Sequence, residues 1–129
     1  MATTNLNRDT HEIHSGNDGF VIVKALADIP GGRSLNVEDV ASDVSAIKAG
    51  HIIIAKDEDY KPMPVASSGT AYGTLPTGYS YVGVLKTTIP VKDARAAILT
   101  IGQVNAAASP YPVTSAMKTA LSHIQFLYA

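Results

Sequence analysis

His11, Glu12 and His14 come closest in this chain to a metal-binding cluster. Zinc needs three or four ligands held rigidly, and the helical pair of a zinc protease places its histidines at i and i+4. Here the histidines stand at i and i+3 within the polar stretch TNLNRDTHEIHSGN. No metal site is expected from them. His51 sits in the apolar block IKAGHIII. A catalytic histidine requires an orienting carboxylate and a nucleophile. The chain has many serines but no Gly-x-Ser-x-Gly elbow, so His51 reads as a partly buried histidine bonded to backbone. A small hydrolase built on His51 is the weakest of the functional readings.

Gly31-Gly32-Arg33-Ser34 lacks the glycine spacing and the Lys-Ser or Lys-Thr pair of a phosphate loop, and reads as a turn. Asp57, Glu58 and Asp59 are adjacent, whereas a calcium loop spaces its acids at alternate positions. They read as a solvated turn. The chain has no cysteine, which excludes disulfides, thiolate chemistry and cysteine-based zinc sites. No catalytic residue, metal or cofactor is therefore assigned. The tyrosines are the better functional candidates, because an apolar ring with a polar tip suits an interface. Tyr72, Tyr79 and Tyr111 are the interface candidates, with Tyr60 and Tyr81 beside them in the pattern. A face of such tyrosines would also suit a carbohydrate-binding or adhesion module.

These residues hang on three apolar blocks at 47–54, 81–85 and 96–105, each carrying one glycine: Gly50, Gly83 and Gly102. Residues 20–27 (FVIVKALA) predict a strand that precedes them. Residues 45–55 predict a second strand region in which Gly50 marks a bulge or close approach. An acidic turn and the return segment YKPMPV make a hairpin with it. Residues 79–85 and 95–104 predict further strands; strict alternation turns Leu99 and Ile101 to one face, Ile98 and Thr100 to the other. Asn36 could cap a short helical turn or begin a loop. Thr114 caps a short helix, with Met117, Ala120, Leu121 and Ile124 at helical spacing and His123 near its end. Residues 125–128 (QFLY) close the chain as a strand.

The expected fold is mainly β, a small barrel- or sandwich-like body with one short C-terminal helix. Residues 1–18 are expected to form a flexible N-terminal arm, and 19–129 a single domain. Leu6 and Ile13 are the arm's apolar candidates for holding a partner, for instance by adding a strand to a sheet edge. Net charge is −1, which argues against nucleic acid and anionic membrane as partners. Charged residues make up only 16% of the chain, against a usual ~25%, so part of the surface is expected to meet protein. The N-terminus carries no apolar signal region, and no apolar run approaches the ~20 residues of a membrane-spanning helix.

The order of blocks IKAGHIII, YKPMPV, YVGVL, ARAAILTIGQVN and ALSHIQF resembles bacteriophage head decoration and head fibre proteins of the lambda-type head-stabilising fold. The matching positions are Ala49-Gly50, Gly83-Val84-Leu85, Ala97, Gly102, Val104, Asn105 and the ending from Leu121 to Phe126. The resemblance spans 19–126. It implies a non-enzymatic virion protein, from a phage or a prophage, that forms a homotrimer and binds the major capsid protein on the outside of the shell. It further implies assembly in the host cytoplasm and an N-terminal arm that docks on the capsid.

Overall fold

The computed structural model describes residues 18–128 apart from 30, 31 and 39. Leu6, Ile13, the cluster at His11, Glu12 and His14, and almost all of the expected arm lie outside the described residues. The chain opens with a single helical turn, α1 (Asp18–Val21), and continues into β1 (Ile22–Asp28) and β2 (Arg33–Ser34). β3 (Ala46–Ile47), β4 (Ile52–Lys56), β5 (Asp59–Pro62) and β6 (Ser80–Leu85) follow. Then come β7 (Ile89–Pro90), β8 (Arg95–Ala96), β9 (Ile98–Asn105), the helix α2 (Ser115–Ala120) and β10 (Ile124–Leu127). The chain is mainly β, as expected, with one short helix near its C-terminal end.

The main sheet runs β1-β9-β6-β4-β5, with β10 beside β9. It is open, not closed into a barrel, and this corrects the barrel alternative. The pairs β2-β8 and β3-β7 form two separate ribbons. Ile52, Ile53 and Ile54 show why the sheet needs cover on both faces: all three are fully buried. A strand that is apolar without alternation must be packed on both sides. Ile52 and Ile54 join Val84, Leu99 and Val104 in one cluster, which Met117 of α2, Leu121 and Ile124 close. Ile53 joins Leu85 and Ile98 in the other, closed by Leu35, Ile47, Ile89 and Ala96 on or beside the ribbons.

The hairpin of β4 and β5 pairs Lys56 with Asp59 across a two-residue turn. Asp57 takes the left-handed conformation there, φ 54°, which aspartate tolerates better than most residues. Three local expectations are corrected. Phe20 and Val21 belong to the helical turn α1, not to the first strand. The region 45–55 is two strands of different sheets, and Gly50, at φ 95°, sits in the turn between them. Leu99 and Ile101 do not share an environment, because Leu99 is buried and Ile101 is exposed. The register slips between Asp28↔Leu99 and Ala27↔Ile101, so two steps on β9 oppose one on β1. Such a bulge breaks the two-residue alternation.

At α2 the Thr114 hydroxyl accepts the Met117 N–H at 3.3 Å. The helix ends at Ala120, so Ile124 is buried as a strand residue and Ala120 is exposed. Thr114→Ala is expected to lower stability by about 1 kcal/mol, with Thr114→Ser close to wild type, read as shifts in the urea midpoint.

Candidate functional site

Two regions offer something to a partner: a cleft floored by His51, and the edge strand β1. His51 lies in the turn after β3, where its N–H donates to the Lys48 carbonyl. Its ring is buried, and Nε2 is 2.8 Å from the Met63 carbonyl oxygen. A carbonyl only accepts, so Nε2 carries the proton. The rings of Tyr72 and Tyr111 stand edge-on to the imidazole, at 5.2 and 5.6 Å between centroids. Burial pushes the imidazole down from 6.5 to about 4, partly opposed by the bond to Met63. His51 is therefore a neutral histidine bonded to backbone, as the sequence suggests. Among the described residues no carboxylate bonds to it, so the arrangement is not the relay a hydrolase would need.

The cleft above His51 has a volume of about 510 Å³. Its walls come from the segment before β4, the strand end at Met63 and Pro64, and the Pro110-Tyr111 corner. Tyr72 is a correction to the interface candidates. It is buried, and its hydroxyl accepts the Ile52 N–H at 3.0 Å. Burial holds that hydroxyl well above its ordinary value. Tyr111 is half-buried and lines the cleft. Tyr79 is half-buried; its hydroxyl donates to Asp59, and the Lys61 ammonium lies 4.4 Å from its ring centre. The Tyr79 hydroxyl, then the Asn36 amide, hold the Asp59 carboxyl below the usual range. Asp59 is thus tied into the structure, while Asp57 and Glu58 form the exposed turn.

The remaining candidates have structural places. Asn36 starts a turn, not a helix, its side-chain oxygen accepting the Glu38 N–H at 3.0 Å. The turn expected over 31–34 is corrected at its second half, because Arg33 and Ser34 pair with β8 as a strand. Gly31 lies outside the described residues. His123 is exposed in the turn before β10, and its carbonyl accepts the Gly102 N–H. Among the described residues no group of three potential ligands could hold a metal ion, and no helix is long and apolar enough to cross a membrane.

Edge strand β1 is the feature that sequence reasoning missed. FVIVKALA predicts a strand but says nothing of its place in the sheet, and the four residues from Val23 to Leu26 are all exposed. Phe20 is 70% exposed, Val23 48% and Leu26 63%. Ile101 of the neighbouring β9 is exposed as well. Among the described residues β1 pairs with β9 alone. At its C-terminal end Asp28 reaches across β9 to Lys86, which follows β6, at 2.8 Å. The available signal was Lys24 in the middle of the run, which is unsuited to a strand packed on both faces. No family model, curated protein or solved structure matches the chain.

Proposed function

We propose that this chain is a structural protein that works by surface binding. In this reading it decorates the outside of a bacteriophage capsid as a homotrimer and cements the shell. The observation that supports it most is β1, an edge strand with Val23 and Leu26 open to solvent and Phe20 of α1 exposed just before it. A long apolar edge left bare invites uncontrolled pairing, so such surfaces are normally covered by a partner. Neighbouring copies cover β1, and the segment before Asp18, with Leu6 and Ile13, reaches the major capsid protein. The order of motif blocks points to the same class. A protein that binds the assembled lattice but not free subunits stabilises the lattice by mass action. Threefold repetition adds avidity.

Light scattering of the purified chain is expected to report a trimer. Leu26→Lys is expected to give a monomer with an unchanged circular dichroism spectrum. Mixed with expanded phage capsids, the wild-type protein co-sediments and raises their melting temperature, and Leu26→Lys does neither at the same concentration. Failure to co-sediment with any capsid at micromolar protein overturns the capsid reading. Undiminished capsid binding by Leu26→Lys overturns the role of β1.

A further inference from the structure

The cleft above His51 has the make-up of a small-molecule site, and this holds independently of the capsid reading. Its volume, about 510 Å³, falls within the range of ligand pockets, roughly 300–1,000 Å³. Its lining is mostly apolar, and two of the exposed large hydrophobic residues, Val44 and Val65, stand in its walls. Proline rings at 62, 64 and 110, with the Tyr111 ring, supply flat surfaces. The charges at hand select no charged ligand. Asp43 and Lys48 line the cleft with opposite signs and are solvated. The buried Lys61 directs its ammonium to the Tyr79 ring, which is not part of the lining.

The polar anchor is His51. Nε2 is committed to Met63, which leaves Nδ1 with a bare lone pair in the neutral ring. Among the described residues Nδ1 has no hydrogen-bond partner. Yet none of their fully enclosed side-chain polar atoms lacks a partner. Nδ1 therefore opens onto the cleft that His51 lines. The edge-on rings of Tyr72 and Tyr111 fix the imidazole plane, so the acceptor is aimed in advance. A preoriented acceptor at the floor of an apolar cleft rewards one chemistry: a hydrogen-bond donor on a flat apolar body.

We propose that this cleft binds an uncharged aromatic alcohol, whose hydroxyl donates to Nδ1 of His51 while its ring packs between Tyr111 and the proline walls. The test uses 2-naphthol as probe and 2-methoxynaphthalene as the same body without the donor. The chain contains no tryptophan, so naphthyl fluorescence is read without its background. 2-Naphthol is expected to bind saturably at one site, and the methoxy compound roughly 3–10-fold more weakly, the worth of one neutral hydrogen bond. Nitrogen NMR of the full chain is expected to show the His51 Nδ1 resonance moving on addition of 2-naphthol. Val44→Phe narrows the cleft from an exposed position without adding a tryptophan, leaving the fold intact and abolishing binding. Equal affinity for the two compounds, no saturable binding of 2-naphthol, or an unmoved Nδ1 resonance overturns the proposal.

Discussion

Gly83→Ala is expected to cost about 3 kcal/mol of folding stability, the upper end for forcing atoms into a packed interior. A methyl group at Gly83 would be driven into the carbonyl oxygen of Leu99 on β9, and would lie 3.0 Å from the Ile98 side chain. Gly83 cannot retreat, because its other side is paired with Ile53 of β4. Gly102→Ala meets a similar obstacle, the Lys24 carbonyl, but that carbonyl belongs to β1 at the sheet edge. An edge strand lifts more easily than a central one, so Gly102→Ala is expected to cost less and to disturb β1 most. Gly73 serves as the control. Its nearest neighbours lie 3.5 Å from an added methyl, and alanine there should stay within about 0.5 kcal/mol of wild type. Urea unfolding of the three variants gives the ranking. A Gly83→Ala protein within about 1 kcal/mol of wild type would mean that β6 and β9 do not approach this closely.

That ranking separates what the sequence can and cannot tell. Gly50 reads as a bulge or close approach, and an added methyl would meet a neighbour there, at the Val21 side chain, as well as at Gly83 and Gly102. Which backbone does the approaching is not written locally: Leu99 is far from Gly83 in sequence, and Lys24 farther still from Gly102. Elements governed by neighbours in sequence were legible. Thr114 caps α2 through a residue three positions away, and the acidic turn closes β4 onto β5 within four residues. The apolar run 52–54 was legible as strand, while its cover on both faces comes from distant segments. The parallel pairing of β10 with β9 needs the intervening α2 crossover, and no local pattern encodes that partnership.

The site divides in the same way. His51 in an apolar block reads as a histidine satisfied by backbone, and its partner is indeed a carbonyl. The cleft above it was hidden because its walls come from segments far apart in the chain. Tyr72 was misread for a related reason. It sits in a loop rich in glycine, serine and threonine, a composition that signals surface. Its hydroxyl nevertheless satisfies the buried Ile52 N–H, a need created by β4 and invisible from the loop itself. β1 differs in kind. Its strand character is written locally, but its edge position, which leaves Val23 and Leu26 exposed, is not.

Acid is expected to remove about 3 kcal/mol of stability through His51 alone, between pH 6.5 and about 4. Above pH 6.5 the imidazole is neutral in both folded and unfolded chains, and its contribution is flat. As pH falls through the window, the unfolded chain takes up a proton that the folded protein refuses. Stability drops until about pH 4, where the folded ring also titrates and the slope ends. The groups around the ring do not blur this window. Burial holds the Tyr72 hydroxyl well above its ordinary value, far from this window, and the Lys61 ammonium is directed to Tyr79. The lowered Asp59 carboxyl loses its contribution only below its ordinary 3.8, on the acid side of the window. Urea unfolding at closely spaced pH values measures the slope, and His51→Gln is expected to flatten it at some cost at pH 7. Because that variant could fold poorly, ring NMR of the wild-type chain gives an independent readout. The His51 ring should remain neutral, with its proton on Nε2, down to about pH 4.5; titration near 6.5 would refute the burial argument. Nε2 already holds a proton for Met63, so the proton that acid adds must go to Nδ1. The acceptor that faces the cleft and the source of the acid lability are thus one atom, and any ligand that donates to Nδ1 should extend the stable range towards lower pH.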